Sequence, residues 1–150
     1  MKPRQMLLLS GFLSLALVSL ALAQPIGSGW VRVEDYDELF NPQTVANLKG
    51  EIVSVDTFSP GKGHRLLTTQ VTMRLKTDTE TIEVYLGPQP YIDKQKVKLA
   101  ANDQVMVKGS RVSYEGKPLI VATGVRKGRQ VLRLRDRQGK PRWRGKGAKQ

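Results

Sequence analysis

The chain has 150 residues, no cysteine, and 25 basic against 13 acidic residues, for a formal charge of +12. The missing thiols exclude disulfides, a thiolate metal site and a cysteine-linked lipid anchor, so the fold has to rest on burial alone. The charge is uneven. Residues 24–125 hold 12 basic and 12 acidic residues and are neutral, whereas residues 126–150 hold 11 basic residues against Asp136 alone, a charge of +10. Such asymmetry suits an anionic partner, or a solvated tail that maintains solubility.

Lys2 and Arg4 precede an apolar run from Met6 through Leu22, broken only by Ser10, Gly11, Ser14 and Ser19. The run ends on Ala21-Leu22-Ala23 and Gln24-Pro25, small residues at the spacing of a signal-peptidase site. Residues 1–23 therefore read as a secretory signal peptide, and the expected destination is the periplasm or the exterior. The competing reading, an uncleaved anchor, sits at the lower margin of the ~20 apolar residues a span requires. No later segment is long and apolar enough to span. Cleavage leaves 127 residues (150 minus 23), enough for one domain.

Residues 24–44 read as a loosely structured arm with one short helical turn, carrying the acidic group Glu34, Asp35, Asp37 and Glu38. From Val45 the pattern changes to strands. Val45 to Phe58 alternates around Leu48, Ile52, Val53 and Val55, with a bend or bulge expected at Gly50. Ser59 to Gly63 is a turn. Leu66 to Lys76 has period two, with Leu67, Thr69, Val71, Met73 and Leu75 on one face and Thr68, Gln70, Thr72 and Arg74 on the other. Thr77 to Glu80 makes a hairpin turn into a strand over Thr81 to Leu86.

Gly87 to Pro90 stops that strand, and near-helical spacing predicts a short helix over Tyr91 to Leu99. Asn102-Asp103 turns into a strand marked by Val105, Val107, Val112 and Tyr114 and bent at Gly109. A hairpin turn at Glu115 to Pro118 leads to a strand over Leu119 to Val125. Lys127-Gly128 turns again, and Val131, Leu132 and Leu134 mark a last strand. Asp136 to Gly139 is a turn, Trp143 closes the ordered part over 45–143, and 144–150 is a basic tail expected to be disordered. Five to six strands with one helix after the third describe an all-β, OB-like Greek-key barrel. A β-sandwich would need about seven strands.

Several segments in order carry a resemblance: Val45 to Val55 (VANLKGEIVSV), Leu86-Gly87-Pro88 followed by Tyr91, Asn102 to Arg111 (NDQVMVKGSR), and Leu132 to Asp136 followed by Gly139, Pro141 and Trp143. Over roughly residues 36–143 the chain resembles a group of small exported bacterial OB-fold proteins. Some of these are loosely labelled DNA-binding, and some magnetosome-associated proteins look similar. The resemblance implies the fold. It implies no activity and no site residues.

Candidate chemistry is sparse. Gly61-Lys62-Gly63-His64 lacks the spacing and the strand-loop-helix setting of a phosphate loop. His64 is the only histidine and has no carboxylate pair beside it, so no metal or cofactor is expected. The acidic group lacks the glycine and closing glutamate of a calcium loop. It reads as a solvated arm or one that folds back on the basic C-terminus. No serine sits in a strained elbow, and no nucleophile–base pair is visible, so no enzymatic activity is expected.

Two sets of binding candidates remain. On the barrel face they are Arg74, Tyr85 and Tyr91, of which Tyr85 stands on the exposed side and can stack a base. At the C-terminus they are Arg126, Lys127, Arg129, Arg133, Arg135, Arg137, Arg142 and Arg144. Arg133, Arg135 and Arg137 are spaced by two, so on a strand they would line up at ~6.6 Å intervals. Guanidinium forks suit carboxylates and phosphates. The competing reading is a charged edge strand protected from aggregation. The expected role is therefore an exported binding or accessory module that meets an envelope protein or anionic surface. Single-stranded nucleic acid is the alternative.

Overall fold

The structure, a computed structural model, describes residues 33–59 and 68–144. The expected signal peptide, the 60–64 loop with His64, and residues 145–150 lie outside the described residues. Among the described residues no helix is long and apolar enough to cross a membrane.

Six strands follow in order: β1 (Val45–Phe58), β2 (Gln70–Lys76), β3 (Thr81–Pro88), β4 (Gln104–Tyr114), β5 (Lys117–Lys127) and β6 (Gln130–Arg133). β1 spans two pairings. Its first half lies antiparallel to β4, from Val45 opposite Ser110 to Glu51 opposite Gln104. Its second half lies antiparallel to β2, with a register shift between Ile52 and Ser54. β3 follows β2 as a hairpin, closed at Thr77 by its N–H to the Glu80 carbonyl at 2.8 Å. β3 then runs parallel to β5 through Glu83, Val84 and Tyr85 opposite Leu119, Ile120 and Val121. That pairing closes a five-stranded barrel of the OB-like Greek-key kind. β6 extends the sheet by pairing with β5 from Gly124 to Lys127, just past the stretch that β3 occupies.

Alternation makes the core. Ile52, Met73, Leu75, Val84, Leu86, Val107, Ile120, Val125 and Leu132 point inward and are nearly or wholly inaccessible. Each such side chain contributes about 1.5–3 kcal/mol of burial. The bend in β4 falls between Lys108 and Gly109, where the register to β5 shifts. A Cβ at Gly109 would stand 2.6 Å from both Ile120 Cγ2 and the Val121 carbonyl oxygen, so only glycine lets the two strands approach there. An ion pair braces the closure: Arg111 on β4 grips the Glu80 carboxylate at the head of β3 with both terminal nitrogens, one bond measuring 2.8 Å.

Three expectations are corrected. The helix after β3 is α2 (Gln89–Asp93), not Tyr91 to Leu99. Pro90 fits the first turn of a helix. Beyond Asp93 the chain has period two, with Lys94, Lys96 and Lys98 exposed and Val97 and Leu99 turned to the core. β2 begins at Gln70 rather than Leu66, with residues 66 and 67 outside the described set. Its outward face is not open either: Gln70 and Thr72 are buried. On this side of the barrel packs the helix α1 (Val33–Glu38) of the N-terminal arm, whose Tyr36 joins Phe58, Tyr85, Leu119 and Val121 in a second apolar cluster.

Candidate functional site

The predicted arginines divide into one enclosed residue and several exposed ones. β6 ends at Arg133, and Leu134 onward leaves the sheet, so Arg133, Arg135 and Arg137 do not form a line. Leu134 and Arg135 both donate their N–H to the Thr123 carbonyl, and Arg135 bridges to Pro141. This turns the Arg135 side chain under α1, where the residue is 3% exposed. Its Nε and Nη2 donate to Asp37 Oδ1 at 3.1 and 3.0 Å, and its Nη1 donates to the carbonyls of Leu86 and Ala122. The guanidinium lies 5.0 Å from the Tyr85 ring centre and 4.9 Å from that of Trp143. Burial pushes its pKa down, and the Asp37 carboxylate opposes that shift. Arg144 reaches the other Asp37 oxygen at 3.4 Å. The arm thus folds back on the basic C-terminus through Asp37.

The same packing removes the expected stacking platform. Tyr85 is 1% exposed. Its ring stacks on Tyr36 at 4.6 Å and 26°, and its hydroxyl donates to Gln70 Oε1 at 2.8 Å. Burial raises the Tyr85 phenol and pushes Tyr36 up to about 12. Tyr91 is half-buried, with its hydroxyl on the Arg133 carbonyl at 2.8 Å and its ring 5.4 Å from Trp143. Arg74 is exposed opposite Glu83 on the edge of the covered face. The three barrel-face candidates therefore present no common surface.

The exposed arginines meet elsewhere. The outer face of β1, β4, β5 and β6 carries an open groove of about 580 Å³, and Arg126, Arg133, Arg137 and Arg142 line it; Arg135 also borders it, but its side chain is inaccessible. Strand register builds its floor. Asn47, Lys108, Gly124 and Arg133 lie opposite one another across the four strands, and Lys49, Met106, Arg126 and Val131 form the next row. Val105, Val107, Val125 and Leu132 face inward, so their neighbours Met106, Lys108, Arg126, Val131 and Arg133 must face out. Gly124 has no side chain, which leaves a dip between Lys108 and Arg133.

The turn after β6 forms the rim. Asp136 Oδ1 accepts from the N–H groups of Gln138 and Lys140 at 2.9 Å each, and the Arg142 N–H reaches the Leu134 carbonyl at 3.0 Å. These bonds place Arg137 and Arg142 beside the floor.

Not every predicted cation joins the groove. Lys127 pairs with Asp103 at 2.8 Å and donates to the Lys98 carbonyl at 2.8 Å. The Lys127 bond to Asp103, with one from the Ala100 N–H, holds the Asp103 carboxyl below its usual range. Arg129 is exposed in the turn between β5 and β6, and Arg144 is held by Asp37. Sequence reasoning missed Met106, Lys108 and Val131. Their outward phase was readable from Val105, Val107 and Leu132, but their proximity depends on strand pairing. Among the described residues no cluster of three or more His, Asp or Glu groups could hold a metal ion.

No curated protein matches the chain. A model of the MamS/MamX magnetosome protein family matches residues 44–132, from the foot of β1 into β6. That stretch holds the whole closed barrel and the Met106, Lys108, Arg126 and Val131 part of the groove, while the Arg135 clamp lies beyond it. With more than half of its length matched, the chain belongs to the MamS/MamX magnetosome protein family.

Proposed function

We propose that this chain is an exported, non-enzymatic accessory protein of the cell envelope that docks an anionic partner through the basic groove. The observation that carries the reading is the cross-strand register that sets Lys108, Arg126 and Arg133 outward on one floor, with Arg137 and Arg142 on its rim. Family membership and the small barrel support an accessory role. The leader-like residues 1–23 support export. Nucleic acid is the weaker ligand class, because Tyr36 and Tyr85 stack on each other instead of offering faces to bases.

Fluorescence anisotropy of acidic peptide, single-stranded DNA and anionic vesicles against the mature chain, across a salt series, tests this. Binding at low salt that weakens as the Debye length shrinks supports it. Absence of binding to every probe at low salt rejects it.

A further inference from the structure

Beyond an anionic partner in general, we propose that the groove takes an extended acidic peptide that also carries aliphatic side chains, an inference that rests on the docking reading above. Among the described residues three large apolar side chains are exposed, and two of them, Met106 (37%) and Val131 (47%), lie in this groove. They flank Arg126 in one cross-strand row. At the usual strand spacing of about 4.8 Å they stand roughly 10 Å apart with a guanidinium between them. The adjacent row sets Lys108 and Arg133 on either side of the Gly124 dip. Cations and apolar groups therefore interleave on the floor.

A ligand made only of phosphates would pair with the cations and leave Met106 and Val131 in water. A peptide whose carboxylates and aliphatic side chains are interspersed covers both. The guanidinium fork fits a carboxylate in two parallel bonds. Among the described residues no aromatic side chain lines the groove, so a nucleobase finds no stacking partner on this lining. The one acid on its lining among the described residues, Asp136, is engaged through Oδ1 with its own turn.

The test uses the mature chain and four probes: a labelled decapeptide of alternating Glu and Leu, its Glu and Ser counterpart of equal charge, inorganic tripolyphosphate, and phosphatidylglycerol vesicles. The Glu/Leu peptide is expected to bind roughly tenfold tighter than the Glu/Ser peptide, from the apolar surface it covers. Met106→Ser with Val131→Ser should erase that difference and leave Glu/Ser binding within about twofold, both positions being exposed. A matching thermal melt confirms the fold of the double variant, and Met106→Gln alone should give part of the loss. Equal affinity for the two peptides, or preference for vesicles or tripolyphosphate, overturns this inference and leaves the docking reading standing. Failure of all four probes at low salt overturns both.

Discussion

Arg133 and Arg135 are two residues apart and chemically identical, yet one reaches solvent on the groove floor and the other is enclosed beneath α1. The difference is backbone direction. Arg133 is the last residue of β6, where alternation turns it outward, and Arg135 lies where the chain has left the sheet. Arg135 has bonds from all three nitrogens to Asp37, Leu86 and Ala122, and its guanidinium lies 5.0 Å from the ring centre of Tyr85 and 4.9 Å from that of Trp143. Among the described residues, Arg133, Arg126, Arg137 and Arg142 have no partner of that kind in the groove. A guanidinium with every fork occupied holds a fold together, and one with its forks turned to solvent is available to a ligand.

The largest expected effect falls on the enclosed residue. Arg135→Ala leaves Asp37 largely covered without its main partner, a loss of about 3–5 kcal/mol by urea denaturation. Arg133→Ala should stay within about 0.5 kcal/mol of the parent. If Arg135→Ala proves equally harmless, the clamp is not what pins the arm. Gly87→Ala should come next, at about 2 kcal/mol, because its φ is +150° and a Cβ would meet the Trp143 ring at 2.7 Å. A thermal melt reads it, and Trp143→Leu in the same background should recover part of the loss.

On the groove side, Arg126→Glu with Arg133→Glu should weaken acidic-peptide binding by roughly tenfold and leave the melting temperature near that of the parent. The smallest effects concern pH. Arg111, chiefly through its hydrogen bonds, holds the Glu80 carboxyl below its usual value. Stability from this pair is present above the unfolded-state value and is lost as pH falls through the folded one. Arg111→Gln should flatten the acid limb of a stability–pH curve. Glu83 behaves in the opposite sense, since burial raises its carboxyl. Its contribution is present at low pH and is lost as pH rises through the folded value, so Glu83→Gln should raise stability at neutral pH.

Much of the barrel was legible because it follows from local alternation. The bounds of β1, the bend at Gly109 and the inward set Ile82, Val84 and Leu86 are all readable from spacing and turn residues. The errors lie where a distant segment decides. Tyr85 and Thr72 alternate outward as expected, but both are buried, and Tyr85 is covered by Tyr36 of α1, a segment far upstream in sequence. Arg135 sits at the spacing of an exposed strand residue, and its partner Asp37 is 98 positions away. The end of β6 is equally invisible, because Leu134 continues the apolar pattern while its N–H goes to Thr123 outside the ladder. The groove was half legible. Its arginines stood out by charge, but Met106 and Val131 gain meaning only when β4, β5 and β6 are placed side by side.

The most direct measurement sets Arg133→Ala beside Arg135→Ala in two readouts, denaturation midpoint and affinity for the Glu/Leu peptide. Loss of affinity without loss of stability is predicted for Arg133→Ala, and loss of stability for Arg135→Ala. An Arg133→Ala variant that keeps the parent's affinity at every salt concentration would contradict a docking role for the groove floor.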